Sequence, residues 1–203
     1  KTIKKLSRDE YNVEEIIAET FLDLDQIVSF IEETKKFKPK HDDKLNKLKR
    51  LVKSKDLKDQ KVIIFTEFAD TARYIFKQLS EEGLGGLAQI DSGSKTNRGE
   101  VIKQFAPYYN GTTTNKLQEK NKKEIRVLIS TDVLSEGLNL QDACRMINYD
   151  IHWNPVRLMQ RIGRVDRRMN PAVEEQLIKD HPEVAPLRGK VLFWNFLPPE
   201  ELN

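Results

Sequence analysis

With 35 Lys/Arg against 32 Asp/Glu in 203 residues, the formal charge of +3 gives no global pull on polyanions, so any such partner must be met by a local patch. One cysteine excludes an intrachain disulfide, three scattered histidines offer no zinc spacing, and no apolar run approaches the roughly 18 residues of a membrane span. The length supports one good core with a helical appendage, no membrane contact is expected, and the cytoplasm is the expected compartment. Opening on Lys1 rather than Met and stopping after Pro198-Pro199-Glu200-Glu201, the chain is expected to be a piece of something longer.

Apolar residues at Val13, Ile16, Ile17, Leu24, Ile27, Val28 and Ile31 keep helical spacing from about Asp9 to Lys36. They predict one long helix, or two broken near residues 22–25, stopped by Pro39. Leu45, Leu48, Leu51 and Val52 predict another helix from Asp42 to about Ser54. Charge is segregated between the two: nine carboxylates and one basic residue from Arg8 to Thr34, then twelve Lys/Arg and four Asp from Lys35 to Lys61. The basic block is either a phosphate-contacting surface or the wet face of a helix. Residues 1–58 are expected to form a helical segment packed on the flank of a sheet that begins after it.

Lys61–Thr66, β-branched, apolar and short, is a buried strand. Asp70 then caps a helix with an inner face of Ala72, Ile75, Phe76 and Leu79, ended by Gly83, Gly85 and Gly86. A strand at Leu87–Asp91 and a helix from Asn97 bearing Val101, Ile102 and Phe105 follow. This alternation implies βαβ units and a parallel sheet with right-handed crossovers. Residues 107–124 lack apolar content and periodicity and are expected to be an exposed, mobile insertion. Arg126–Thr131 and Arg145–Asp150 are further core strands, and Cys144, among apolar neighbours, reads as a small buried thiol. A polar connection carrying Pro171, Pro182 and Pro186 leads to a last strand at Lys190–Phe196.

The most informative stretch lies between, NPVRLMQRIGRVDRR from Asn154 to Arg168. Asn154 caps a helix and Pro155 takes its first position, where a missing N–H costs nothing. Leu158, Ile162 and Val165 fall on one stripe, Gln160, Arg164 and Arg167 on the opposite one, with Arg157, Arg161 and Arg168 beside them. Like charges so close repel unless an anion lies between, and guanidinium clamps phosphate bidentately at any working pH. Gly163 lets a ligand or another backbone approach. Trp153, just before the helix, is expected to pack rather than stack on a base.

The Gln-Arg-x-Gly-Arg-x-x-Arg spacing resembles motif VI of superfamily 2 helicases and translocases, and with Trp153-Asn154-Pro155 before it looks most like the RapA-like branch of the Swi/Snf group. Ser130–Gln141, STDVLSEGLNLQ, leaves a buried strand at its carboxyl end and is similar to motif V. Val62–Thr71 resembles motif IV. Ile90-Asp91-Ser92-Gly93-Ser94 with Arg98 resembles the family's Asp-Gly-Ser segment, with an extra serine before the glycine.

The resemblance implies a RecA-like three-layer α/β sandwich with a mainly parallel sheet over residues 59–203. It implies arginine fingers at Arg164 and Arg167, reaching ATP held by another lobe. Gln160, Gly137 and Asn139 would face the nucleotide, while Thr131, Thr66, Glu67, Ser94 and Arg98 would face nucleic acid. The sequence has no Gly-x-x-x-x-Gly-Lys-Ser/Thr and no acidic run to hold Mg2+, so ATP and Mg2+ are expected on a first RecA-like lobe outside it. The Swi/Snf likeness implies tracking on double-stranded DNA, and the chain alone is expected to be inactive. Two alternatives stay open: a lobe of an RNA helicase, and a non-catalytic docking module for protein or nucleic acid.

Overall fold

The computed structural model describes residues 7, 10–91, 93, 97–132 and 139–197. They fall into two compact units, residues 1–46 and 47–203. In the first, α1 (Val13–Lys36) is one uninterrupted helix, capped by the Asn12 side chain and ended at Phe37, two residues before Pro39. None of its side chains is buried. Helix α2 (Asp43–Val52) spans the boundary between the units.

The second unit is built on β1 (Val62–Phe65), β2 (Leu87–Ile90), β3 (Val127–Ser130), β4 (Arg145–Asn148) and β5 (Leu192–Asn195). They form one sheet in the order β2-β3-β1-β4-β5, and every pairing is parallel. Alternate residues of β1 divide between two cores, as a period of two requires. Ile63 and Phe65 meet Leu128, Met146 and the Val101, Ile102 and Phe105 face of α4 (Arg98–Phe105). Val62 and Ile64 meet Val127, Ile129, Ile147, the Leu48 and Val52 end of α2, and Ala72, Ile75 and Leu79 of α3 (Ala69–Glu81). Helices therefore cover both faces, the RecA-like sandwich. Each such side chain contributes on the order of 1.5–3 kcal/mol by leaving water.

Gly86 shows why that turn needs glycine. Its φ is +67°, and a Cβ there would sit 3.2 Å from the backbone nitrogen of Arg126, which donates to the Gly86 carbonyl.

Three local expectations are corrected. Asp70 lies inside the first turn of α3, which has no side-chain cap, and Asp70 pairs with Arg73 at 2.9 Å. The exposed loop expected at 107–124 instead carries a turn of 3-10 helix (Tyr108–Asn110) and α5 (Thr114–Glu119), with Tyr108 and Leu117 buried. The polar connection after Arg168 contains α7 (Pro171–Asp180) and a 3-10 turn, Pro182–Leu187.

Lys49 of α2 and Lys53, just past its end, reach Glu82 at the end of α3, at 3.0 and 2.5 Å. The hydrogen bond from Lys53, then that from Lys49, lowers the Glu82 carboxyl from 4.5 to about 2. A depressed folded value means the stabilisation is whole above pH 4.5 and lost as pH falls towards 2. The Glu82→Gln variant should match the parent in urea midpoint near pH 2 and fall below it at pH 5; a constant gap across that range would remove the two lysines as the cause.

Candidate functional site

The carboxyl ends of parallel strands meet helix N-termini and form the crevice where such sheets bind ligands. Here β1 exits through Thr66 and Glu67, β3 through Thr131 and Asp132, and β4 through Tyr149 and Asp150. Over these exits runs α6 (Pro155–Val165), with Asn154 accepting from Val156 N at 2.9 Å and Pro155 at its first position. His152 secures the entry: its Nδ1 accepts from Asn154 N at 2.9 Å while Nε2 lies 3.7 Å from Glu67 Oε1.

Arg161 is the unexpected member. Only 1 % exposed, it forks onto Asp132 through Nε and Nη2 at 2.6 and 2.8 Å. Its Nη1 donates to the Asp150 carbonyl at 2.8 Å, and the guanidinium lies 5.4 Å from the centre of the Phe65 ring. Asp150 in turn accepts the Thr66 hydroxyl and, at 3.2 Å, Glu67 N. One buried cation thus joins α6 to the exits of β1, β3 and β4. The helical spacing contained this, since Arg161 stands three residues after Leu158 and four before Val165, on the inner stripe. It does not belong with the outward arginines.

On the outer side the expected stripe is cut short: α6 ends at Val165 with Asp166 as its C-cap, so Arg167 follows the helix instead of continuing its face. Gln160 is exposed, Arg164 half-buried and Arg167 exposed. Among the described residues Arg164 has no carboxylate partner, and a Cβ built on Gly163 would meet nothing within 4 Å, so the surface is open at that glycine. Arg167 Nη1 donates to Asn139 Oδ1 at 3.1 Å. Beside it opens a groove of about 500 Å3 lined by Tyr109, Asn139, Gln141, Arg167, Arg168 and Asn170 among others. A smaller cavity of about 280 Å3 sits at the opposite ends of the strands, where Lys61 and Arg188 are already engaged by Glu124 and Glu174.

The residues expected to face nucleic acid separate. Thr131 is 4 % exposed, and its Oγ1 is buried with no hydrogen-bond partner among the described residues, a donor whose desolvation none of them compensates. Thr66 is fully buried and its hydroxyl is spent on Asp150, so it braces the strand exit instead of presenting a ligand contact. Glu67 is half-buried beside His152. Arg98 Nη2 approaches the Asp91 carbonyl at 3.4 Å. Asp91 itself is buried; burial raises its carboxyl, but hydrogen bonds from Arg73, Gln89 and Gly93 outweigh that and hold it below the ordinary carboxylate value. Ser94 and Gly137 lie outside the described residues. Trp153, expected to pack, is 85 % exposed and rests tilted against the His152 ring, 5.5 Å between centres.

An open stripe of guanidiniums fits a polyphosphate's charge. Among the described residues no cluster of three His, Cys, Asp or Glu is placed to hold a metal ion. None of their helices is long and apolar enough to cross a membrane.

Residues 43–169 match the helicase conserved C-terminal domain. An ATP-dependent helicase of Bacillus subtilis, YqhH, is 38 % identical over 109 residues, 54 % of this chain and 17 % of that protein. The RNA polymerase-associated protein RapA of Sodalis glossinidius is 32 % identical over 113 residues, 55 % of this chain and 10 % of that protein. Among solved structures, the C-terminal part of the Fun30 ATPase domain superposes with a TM-score of 0.53 over 77 % of this chain and 41 % of that one, at 20 % identity, a likeness of fold. The chain thus spans a sixth or less of these two curated relatives.

Proposed function

This chain belongs to the helicase conserved C-terminal domain family of superfamily 2 ATP-dependent helicases, and from that membership we propose that it is the second motor lobe of a double-stranded DNA translocase. The observation that carries the reading is the pair of guanidiniums at the end of α6 and just beyond it. Arg164 and Arg167 keep the family spacing, Arg167 lines the groove beside Asn139, and neither is neutralised by any carboxylate among the described residues. A guanidinium held ready in this way stabilises charge that develops on the γ-phosphate of ATP bound by a first lobe. Mg2+, held by that other lobe, would neutralise the remaining phosphate charge. Asn139 lines the groove beside Arg167, Gln160 is exposed on α6, and the Thr131 hydroxyl, without a partner among the described residues, would supply a donor for a nucleic-acid backbone phosphate.

Lobe closure would then both complete the nucleotide site and shift the grip on the duplex. In this reading the motor works in the cytoplasm, without a membrane partner. ATPase assays of a two-lobe protein with double-stranded DNA, single-stranded DNA and RNA, run in parallel, test this. Stimulation should be greatest with the duplex, and the 203-residue chain alone should show no turnover. Turnover by the isolated chain would remove the two-lobe reading, and stimulation by RNA alone would reassign the substrate.

A further inference from the structure

Resting on the arginine-finger reading just given, we infer that the Tyr108–Asn110 turn, in a stretch whose composition promised only a loop, is the device that positions Arg167. The turn is fastened first to the segment after β3. Asp142, buried, accepts Tyr108 N at 2.9 Å and Tyr109 N at 3.0 Å. Asn110 Nδ2 then donates twice, to the Ala106 carbonyl at the end of α4 at 2.7 Å and to the Asn139 carbonyl at 2.8 Å. That bridge holds the Asn139 backbone against the turn.

The Asn139 side chain converts the bridge into an orientation. Its Nδ2 donates to the Tyr109 carbonyl at 3.1 Å, so its Oδ1 must point the other way, where it accepts from Arg167 Nη1 at 3.1 Å. Both neighbours fix the same amide orientation, because a carbonyl accepts only from the nitrogen and a guanidinium donates only to the oxygen. The turn also grips the connection that carries Arg167. Tyr109 hydroxyl donates to Glu174 Oε1 at 2.6 Å and accepts from Asn170 N at 3.2 Å. Burial, then the bond to Glu174, pushes the Tyr109 phenol up to about 12, so it stays a donor across the working range. Glu174 is anchored by Arg188 at 2.5 Å.

An exposed arginine has many rotamers, and one that must meet a developing charge loses rate through each unproductive one. A carbonyl-locked amide narrows that choice before the nucleotide arrives. Asn110 is therefore a positioning residue, acting through Asn139 on Arg167 without touching substrate.

The test is a double-mutant cycle on a protein carrying both lobes, with Asn110→Asp and Arg167→Ala. Aspartate keeps the shape of asparagine but turns an acceptor on two carbonyls. Since ångström-scale misplacement of a reacting group costs up to about 10²-fold in rate, N110D should lower kcat by about 10-fold with the KM for ATP unchanged, and lower it no further when Arg167 is already alanine. Asn110→Ser, which removes the bridge without adding charge, is carried through the same cycle, with melting temperatures measured for all, so that a partly unfolded N110D does not decide the matter. Full turnover in N110D and N110S overturns the inference, and so does an equal loss in both backgrounds. Either result leaves the arginine reading standing if R167A itself turns over much more slowly than the parent. Unchanged turnover in R167A takes both down.

Discussion

Arg161→Ala should destabilise the lobe by about 3–5 kcal/mol, the cost of removing one partner of a buried, hydrogen-bonded ion pair. The residue is 1 % exposed, forks onto Asp132 at 2.6 and 2.8 Å, and donates to the Asp150 carbonyl, so alanine strands a carboxylate and a carbonyl together. Against a domain stability of about 5–15 kcal/mol, that is a large fraction of the total. Arg161→Lys keeps the charge but cannot supply the planar fork, and should recover only part of it. Arg157, half-exposed and 3.9 Å from the same carboxylate, supplies the contrast. As a surface pair it should cost at most about 1 kcal/mol when replaced by alanine. Urea denaturation of the 203-residue chain measures both, and a loss below about 1 kcal/mol for Arg161→Ala would show that the strand exits are joined by something else.

That residue also marks where the sequence was legible and where it was not. Short β-branched runs such as Val62–Phe65 and Val127–Ser130 can only be buried parallel strands once helices alternate with them, and the whole sheet follows. The Asn154-Pro155 cap and the three-and-four spacing of α6 were equally plain. The charge of Arg161 hid its place: a periodicity reading sorts by side-chain type, and only the position of Asp132, distant in sequence, makes a buried guanidinium tolerable. Helix α7 was missed although it carries the signal that revealed α6, since Asn170 followed by Pro171 repeats the same cap, with Asn170 Oδ1 accepting from Ala172 N at 3.1 Å. The Tyr108–Asn110 turn had no such local signal. Its backbone is satisfied by Asp142 and its phenols by Asp180 and Glu174, long-range partners that composition cannot announce. At Thr66 the strand-end hydroxyl was legible, but its long-range partner Asp150 inside the lobe was not.

Arg164→Ala in a two-lobe protein should lower nucleic-acid-stimulated kcat by about 10³–10⁵-fold, the range of arginine fingers in phosphoryl transfer. ATP affinity should change little, because a group that meets charge developing in the transition state contributes little to the ground state. Arg164 is half-buried, has no hydrogen-bond or ion-pair partner among the described residues, and stands about 100° around α6 from the buried Val165. Its removal therefore leaves α6 packed, and circular dichroism and urea midpoint should be those of the parent. The contrast with Arg161 is the point. Two arginines three residues apart on one helix should fail in opposite ways, one losing stability and the other losing turnover. Lysine at 164 should restore little of the rate, being a point charge where a planar fork spans two oxygens. Equilibrium nucleotide binding measured beside steady-state ATPase separates these cases. A loss of affinity as large as the loss of rate would make Arg164 a ground-state binding group, and unchanged turnover would remove it from the mechanism.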